Sequence, residues 1–585
     1  MKTMNCYNLR RLAAAVICAL GVQPSHAIQI YQDYDIFTEK TEDGIPLKYM
    51  IYTEINEEEA GMDEFGHIYK RDTTVVCYVM PDETYKYGAI GRVKIPEEVH
   101  GQPVEYIYEK AFQGCSLITE VVIPKSVKRL SYMAFYGCRN ISALTLPEGL
   151  EEIGVSTFEG CEKIETVTFP LTLKKIDQHA FYGCSSLRNL VNLDFSIEFG
   201  LSPFGGCPLT DFDYSTVRGT FPPFLAGNED ITSIVVPEGV TALSNNAFRG
   251  CSGLKSVSLP GSLTKVGGGA FDGCTSLEQI EGLDLSVTSL GQNVFNGCAS
   301  LKSIDFSGAT GIIGDYVFYG WEGLESASLP EGVTAIGKET FKNCSRLAAI
   351  DLPGTLETVG EGAFAGCASL KKCTVPNLAA GLFNACAALE EVTVTGSQQM
   401  IPSAFQNCKS LKSVTLPRAA TVIGDYAFVG CSSLQTIDIP WSVKAIMRGA
   451  FYDCTSLKEV ALPLALVVLE DQAFAGCTGL KAVYSKMAVP MAISANCFSA
   501  ETKAGATLYV PAGTRQLYEA ANGWDFASIV EMDEEQGIAG VEDGKMKSES
   551  VYDLQGRRTD STIFNSQSPI HKNGIYIRDG KKYVK

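Results

Sequence analysis

The chain has 585 residues, which is too long for one ordinary hydrophobic core and indicates several domains or a repeat array. Its composition is 45% hydrophobic and 20% charged, with 56 glycines, which fits a folded protein with many turns and excludes bulk disorder. The net charge is −19, and because an acidic surface repels phosphate backbones, nucleic acid is excluded as a partner.

The first residues have the pattern of a secretory signal peptide. A positively charged start precedes the short apolar run Leu12–Val22, and Ser25 and Ala27 supply small residues at the cleavage position. The run is too short to span a bilayer. We therefore predict a signal peptide over residues 1–27 and no transmembrane span after its removal. An uncleaved anchor is the alternative.

Residues 28–110 precede the regular part of the sequence. Alternating and β-branched segments in this region are typical of strands. The predicted strands are Leu47–Tyr52, Thr74–Met80, Ala89–Pro96 and Val104–Ile107.

A tetrapeptide of the form Phe-x-Gly-Cys first appears at Phe112–Cys115 and then recurs, mostly at steps of 23 residues. Counting Asn228 and Trp321, which stand at two cysteine positions, the pattern marks 17 turns between residues 111 and 485. Such a period is the signature of a solenoid, because one short unit cannot bury its own apolar residues and must stack on its copies.

Each repeat also has a regular internal pattern. Leu144-Thr145-Leu146 alternates as a half-buried strand does, and Pro147 ends the strand. Ile153 marks a second short extended segment, and the residues around Phe158 turn the chain back, as a 3₁₀ or single helical turn. The pattern predicts a β-rich solenoid with parallel sheets, in which equivalent apolar residues form internal columns.

Strings such as residues 126–138 (SVKRLSYMAFYGC) and 332–344 (GVTAIGKETFKNC) resemble the BspA-like leucine-rich repeats, known from surface proteins of Bacteroides, Treponema and related bacteria. The resemblance implies a right-handed superhelix with short 3₁₀ or helical turns. It implies a β cap over residues 28–110 and an α/β cap over residues 486–532. It also implies a surface adhesin that binds host matrix proteins or other cells.

The repeated cysteines occupy the position where leucine-rich repeats place Asn or Cys, with a buried side chain that caps backbone groups in the turn. Disulfides are the usual expectation for an exported protein, and stacked neighbours would be close enough to bond. However, the odd number of cysteines at this position, interrupted by Asn228 and Trp321, makes a fully paired ladder impossible. We predict a ladder of reduced structural thiols, represented by Cys115, Cys138, Cys161, Cys184, Cys251, Cys274, Cys344, Cys431 and Cys454.

Catalytic and metal-binding patterns are missing from the sequence. It contains no Cys-x-x-Cys, no calcium-loop pattern and no clustered histidines. It also lacks a Gly-x-Ser-x-Gly elbow, a phosphate-binding glycine loop and a His-Glu-x-x-His motif. We therefore expect neither an enzyme nor a bound metal or cofactor.

Residues five and seven positions after each cysteine should face outward from the main strand. This face is small and polar, and it lacks the Tyr and Trp residues that usually anchor an interface. It is the predicted binding face for an extracellular protein or glycan, although Ser and Thr also suit an exposed sheet without any ligand. The candidate binding residues are Asp305, Asp351, Glu391, Thr415, Asp438 and Glu459.

The period fails over residues 189–230, which are rich in aromatics, and over residues 371–407, where the steps shorten to 19 and 22 residues. Insertions in solenoids build binding sites in some cases. They also arise by drift, with the aromatics packing locally.

The end of the chain has a different composition. Residues 533–546 are acidic and glycine-rich, typical of a linker. Residues 547–585 contain two strings, 551–558 (VYDLQGRR) and 574–583 (GIYIRDGKKY), that resemble the C-terminal β module of exported Bacteroidetes proteins. In some of those proteins this module is a type IX sorting signal, whereas a small bound structural tail is the alternative here.

The preferred function is a cell-surface or secreted adhesin. Glycan capture is a second hypothesis and predicts aromatic sugar platforms near residues 195–224. A structural envelope spacer is a third and predicts no saturable ligand.

Overall fold

The computed structural model describes residues 91–210, 213–397 and 403–532 in full. Before residue 91 and after residue 532 it describes strands, by their backbone pairing alone. The predicted signal peptide and the predicted linker lie outside the described residues. The chain forms two compact units, with the boundary between Gly200 and Leu201.

Two series of short parallel strands build the repeats in both units. Sheet 1 contains the strands that follow the repeated cysteine. Sheet 2 contains the strands that follow the proline turn. Within each series equivalent residues of successive turns lie side by side, as in Leu144 beside Val121 and Ile153 beside Leu130. The predicted solenoid with parallel sheets is confirmed, with about 19 turns along the chain.

In the first unit, sheet 1 consists of Gly91–Lys94, Ile118–Val122, Ala143–Thr145, Thr166–Thr168 and Asn189–Val191. Sheet 2 consists of Gln102–Ile107, Arg129–Leu130, Glu152–Ile153, Lys175–Ile176 and Glu198–Phe199, with Glu98–Val99 antiparallel to the first of these.

Antiparallel strands at the amino terminus extend sheet 2. Tyr34–Lys40 pairs with Pro46–Ile55, which pairs with Thr73–Met80, and this last strand lies parallel to Gln102–Ile107. A separate pair joins Gly61–Met62 to Ile68–Tyr69. Residues 91–107, placed in the amino-terminal cap by the sequence, thus already pair in parallel with the first Phe-x-Gly-Cys repeat.

In the second unit, sheet 1 comprises Ser233–Val235, Ser256–Ser258, Gln279–Glu281, Ser326–Ser328, Ala349–Asp351, Lys372–Val375, Glu391–Val394, Ser413–Thr415, Glu459–Leu462, Ala482–Ser485, Thr507–Pro511 and Ser528–Met532. Sheet 2 comprises Gly219–Phe221, Val240–Leu243, Lys265–Val266, Ser289–Leu290, Gly311–Ile313, Val333–Ile336, Thr358–Val359, Val422–Ile423, Ala445–Ile446 and Val468–Leu469. A 3₁₀ helix covers Pro223–Leu225.

The turn around each Phe is built from two kinds of backbone hydrogen bond in alternation. Phe158 N–H and Gly160 N–H donate to carbonyls of the next turn, whereas Thr157 N–H and Cys161 N–H donate within their own turn. Ser156 and Gly160, at the two ends of this turn, have left-handed φ values of 54° and 72°. The alternation of hydrogen bonds within the turn and to the next turn satisfies the backbone of this tight segment.

Columns of stacked phenylalanines fill the core beneath these turns. In the first unit the rings of Phe112, Phe135 and Phe158 lie 5.0 and 5.3 Å apart and are nearly parallel. In the second unit a column runs from Phe221 to Phe498. Because every ring packs on its neighbours in the adjacent turns, the core is continuous along each unit.

The repeats continue beyond Cys477 into the cap. Phe498 stacks on Phe474 with centroids 5.2 Å apart, although the tight turn is replaced by helix α1 (Ala500–Gly505). The Ser499 side chain caps α1 by accepting from Thr502 N–H. Helix α2 (Arg515–Ala520) and the buried Trp524, whose Nε1 donates to Met491 O, close the end of the core.

The carboxy-terminal strands form two antiparallel pairs, Val551–Tyr552 with Arg558–Thr559 and Ile575–Arg578 with Lys581–Val584. They overlap residues 551–558 and 574–583, the two strings that resemble a C-terminal β module. Among the described residues, no helix has both the length and the apolar character needed to cross a membrane.

Candidate functional site

The repeated cysteine side chains donate hydrogen bonds from one turn to the preceding one. In the first unit Cys138 Sγ lies 3.0 Å from Phe112 O and Cys161 Sγ lies 3.3 Å from Phe135 O. The second unit repeats this contact from Cys251 to Cys477. Seventeen cysteines of the described residues are buried.

The two residues that replace cysteine in the second unit make comparable contacts. Asn228 Nδ2 donates to Cys207 O, and Trp321 Nε1 donates to Leu301 O at 2.7 Å. The shared property of the position is therefore a buried donor aimed at the backbone of the preceding turn, which Cys, Asn and Trp can all provide.

Burial also makes these thiols poor nucleophiles. Desolvation raises the pKa of Cys161, Cys251, Cys408 and Cys477 to about 12, because the thiolate loses its hydration in the apolar core. A group that stays protonated at neutral pH neither attacks a disulfide nor binds a metal readily. The arrangement is suited to a structural role.

All six candidate binding residues lie along the outward side of sheet 1 or its connecting segments in the second unit. They occupy different turns and are not gathered into one cluster. Glu391 pairs with Lys372 at 2.7 Å. Asp305 accepts from Ser307 N–H at 2.8 Å, and this hydrogen bond lowers the pKa of its carboxyl. Asp351, Thr415 and Asp438 are exposed, whereas Glu459 is half-buried.

Two tyrosines that the sequence analysis missed extend this face. Tyr484 pairs in register with Ala461 on one side and with Tyr509 on the other. The two rings stack with centroids 4.8 Å apart and planes 16° apart. Tyr484 stands seven positions after Cys477, so the rule that selected the other residues would have found it. Tyr509 breaks the period, because α1 lies between the two strands.

Glu459 lies close enough to Tyr484 to influence its ionisation. Burial, and then the charges of Glu459 and Tyr509, raise the pKa of the Tyr484 hydroxyl. The Tyr484 hydroxyl is therefore a neutral hydrogen-bond donor beside a carboxylate. The two rings and Glu459 combine an apolar surface with an acidic group.

Exposed apolar side chains lie at the adjoining edge of sheet 1. Trp441 follows Pro440 and is 58% exposed, and Leu464 occupies the equivalent place in the next turn at 69% exposed. Leu464 lies in the turn that follows the strand Glu459–Leu462, which contains Ala461, the register partner of Tyr484. We call Asp438, Trp441, Glu459, Leu464, Tyr484 and Tyr509 the carboxy-terminal face.

The aromatic-rich irregular stretch mainly contributes to the core. In the second unit Phe204, Phe221 and Phe224 are buried, and Phe221 packs on Phe248 at 5.2 Å as part of the phenylalanine column. Tyr214 packs edge-on against Phe221. In the first unit Phe195 and Phe199 are half-buried, and Phe212 lies outside the described residues. The buried rings offer no platform for a ligand.

The short turns between Cys367 and Cys408 preserve both the core and sheet 1. Phe364, Phe383 and Phe405 stack at 5.8 and 5.7 Å, and the strands Lys372–Val375, Glu391–Val394 and Ser413–Thr415 remain in register. Residues are lost on the sheet 2 side, where the described part of this stretch contains no strand.

Comparison with known proteins agrees with this fold. The sequence matches the family described as "BspA type Leucine rich repeat region (6 copies)" over residues 90–219, 224–320, 311–403 and 377–504. A search of curated proteins found no match.

Several solved structures are similar to the chain. A leucine-rich repeat protein from Bacteroides ovatus is 24% identical, with a TM-score of 0.38, over 79% of this chain and 94% of its own. One from Eubacterium ventriosum is 17% identical, with a TM-score of 0.35, over 74% and 92%. A leucine-rich cell surface protein from Faecalibacterium prausnitzii is 19% identical, with a TM-score of 0.34, over 69% and 94%. Because the family's repeat region matches well over half of the sequence, the chain belongs to the BspA-type leucine-rich-repeat proteins.

Proposed function

We propose that the protein is an exported, cell-surface or secreted binding protein that takes up an extended segment of another extracellular protein along sheet 1. The observation that carries the proposal is the Tyr484–Tyr509 stack on the outward side of that sheet. Aromatic side chains supply much of the energy of protein interfaces, since they bury a large area at a small cost in conformational entropy. We therefore expect the carboxy-terminal face to supply most of the binding energy of the interface.

The charge of this face favours a basic partner. Asp438 and Glu459 lie in the two turns that precede the Tyr484 strand, and the whole chain carries a net charge of −19. An extended segment with Lys or Arg beside apolar residues would match both features. Because exposed charges are screened by salt, the association should slow and weaken as ionic strength rises.

The proposal is tested by titrating the mature protein, residues 28–585, against immobilised matrix proteins and mucins. The double variant Tyr484→Ala/Tyr509→Ala should weaken the strongest saturable interaction by at least about tenfold, which corresponds to about 1.4 kcal/mol. Thr374→Ala/Thr393→Ala is the matched control, because these residues are register partners on the outward side of the same sheet. Equal binding by the two double variants would contradict the proposed anchor.

Glycan capture and a structural spacer are the competing functions. The expected glycan platform at residues 195–224 receives no support from Phe204, Phe221 and Phe224, which are buried in the core. A spacer predicts no saturable ligand at micromolar concentration, so the same titration decides between it and adhesion.

Export and surface display require separate experiments. Protease treatment of intact cells should release fragments of residues 90–480, whereas protection of this region would rule out surface display. If residues 547–585 are a sorting signal, their deletion should retain the protein inside the cell envelope. An unchanged surface level after deletion would leave the tail with a structural role.

A further inference from the structure

A cleft of about 700 Å³ lies where the last regular repeat meets the carboxy-terminal cap in the second unit. It is separate from the carboxy-terminal face, because it forms on the turns around the phenylalanine column. The polar or aromatic residues that line it are Tyr452, Gln472, Asn496, Phe498, Ser499, Lys503 and Asp525.

The cleft forms where the residue after the column phenylalanine changes from tyrosine in one turn to a small residue in each of the next two turns. Tyr452 stands directly after Phe451, and the corresponding residues of the next two turns are Ala475 and Ser499. The phenylalanines beneath them stay stacked, so the core does not open. The lost side-chain volume instead leaves space beside Tyr452, bordered by helix α1.

Lys503 of α1 provides a buried positive charge at this cleft. Its side chain is 8% exposed, and its Nζ lies 2.6 Å from Asp525 Oδ1, whose side chain is 74% exposed. Asp525 is the one carboxylate paired with Lys503 among the residues that the structure describes. An ammonium group has three N–H donors, and a buried one needs acceptors for them. Lys503 and Asp525 therefore line the cleft with one charged donor and one charged acceptor.

The remaining lining residues indicate the chemistry of the occupant. Asn496 and Gln472 each carry one amide acceptor and two amide donors, and the carboxylate of Asp525 is a further acceptor. The charges of Lys503 and Asp525 cancel, so the cleft does not favour an ion of either sign. The ring of Tyr452 adds a flat apolar surface.

A short sugar chain fits all these features. Its hydroxyl groups both donate and accept, its C–H faces pack on aromatic rings, and the volume lies in the range of small-molecule pockets. We infer that this cleft binds a short neutral oligosaccharide. The inference does not depend on protein binding by sheet 1, since the two sites share no residue.

The test uses the mature full chain and a fixed panel of lactose, N-acetyllactosamine, chitobiose, cellobiose and mannobiose. Saturation-transfer NMR and calorimetric titration should identify at least one saccharide that binds saturably and competes with no sheet 1 ligand. Tyr452→Ala and Asn496→Ala should each weaken that binding at least about tenfold. Tyr136→Ala is the matched control, because Tyr136 directly follows Phe135 at the same repeat position but lies outside the cleft.

Thermal denaturation of each variant distinguishes loss of the site from loss of the fold. Asn496 is exposed, so its truncation should leave the melting temperature unchanged. The inference is overturned if no saccharide of the panel binds, or if binding survives in both cleft variants. It is also overturned if binding is lost in Tyr484→Ala/Tyr509→Ala instead, since the sugar would then occupy sheet 1.

Discussion

The side-chain amide of Asn377 bonds to the backbone of Val359 as a neighbouring strand would. Asn377 Oδ1 accepts from Val359 N–H at 2.7 Å, and Asn377 Nδ2 donates to Val359 O at 2.9 Å. Val359 lies in the last strand of a three-stranded segment of sheet 2, at the point where the shortened turns begin. One amide therefore satisfies the two backbone groups that the missing strand would have paired.

Replacing Asn377 should destabilise the second unit. Asn377→Ala removes both bonds and leaves the backbone groups of buried Val359 without partners, so we expect a loss of about 1–3 kcal/mol. Urea unfolding measures this loss, and hydrogen exchange at the Val359 amide should accelerate. Asn384→Ala is the matched control in the same shortened region. Similar losses in both variants would show that the amide of Asn377 has no special role.

The shortened turn could be predicted from the sequence, whereas the Asn377 hydrogen bonds that replace the missing strand could not. The 19-residue step between Cys367 and Cys386 is visible in the cysteine spacing. The spacing does not show whether the missing residues belong to sheet 1 or to sheet 2. The structure shows this, because the sheet 1 strands remain paired and the described part of the stretch contains no sheet 2 strand. Asn377 is recognisable only once Val359 is seen to lack a strand neighbour.

The same limit applies to the binding face. The period correctly predicts the parallel sheets, and the seven-residue distance from Cys477 would also have selected Tyr484, which the sequence analysis did not name. The period cannot identify Tyr509, because α1 changes the step between the two strands from 23 to 25 residues. Nor does the sequence distinguish Asp305, which is bonded to its own turn, from an exposed carboxylate such as Asp438.

The buried thiols should resist alkylation in the folded protein. A pKa of about 12 instead of 9.0 lowers the thiolate fraction of Cys161 at pH 8 by about a thousandfold, and burial hinders access further. Iodoacetamide at pH 8 should leave the repeat cysteines unmodified without urea and modify them in urea, as measured by mass spectrometry. Disulfide-linked peptides between adjacent turns would instead contradict a reduced ladder.

Stability should fall at alkaline pH. The folded-state pKa of Cys161 and Cys251 is raised above the unfolded value, so the native state holds protons that the unfolded chain releases. Their contribution to stability is complete below pH 9 and is lost as pH rises towards 12. Urea midpoints should therefore be constant between pH 7 and 8.5 and decline above pH 9. Cys161→Ala/Cys251→Ala should reduce the steepness of the decline, and an unchanged slope would assign it to other groups.

The residue before the repeated cysteine has a left-handed backbone conformation, and substitutions at two such positions should change the free energy of unfolding in opposite directions. Ala385 has φ +61° and is exposed, whereas glycine occupies this position in most turns, including Gly160 at φ +72°. A side chain in this conformation costs about 1–2 kcal/mol, which glycine avoids. Ala385→Gly should therefore stabilise the protein and Gly160→Ala destabilise it, each by about 1 kcal/mol. A Cβ at Gly160 would have its nearest neighbour at 3.8 Å, so the expected cost comes from the backbone rather than from a steric clash. Destabilisation by both substitutions in urea unfolding would mean that the Ala385 side chain contributes packing that outweighs its backbone strain.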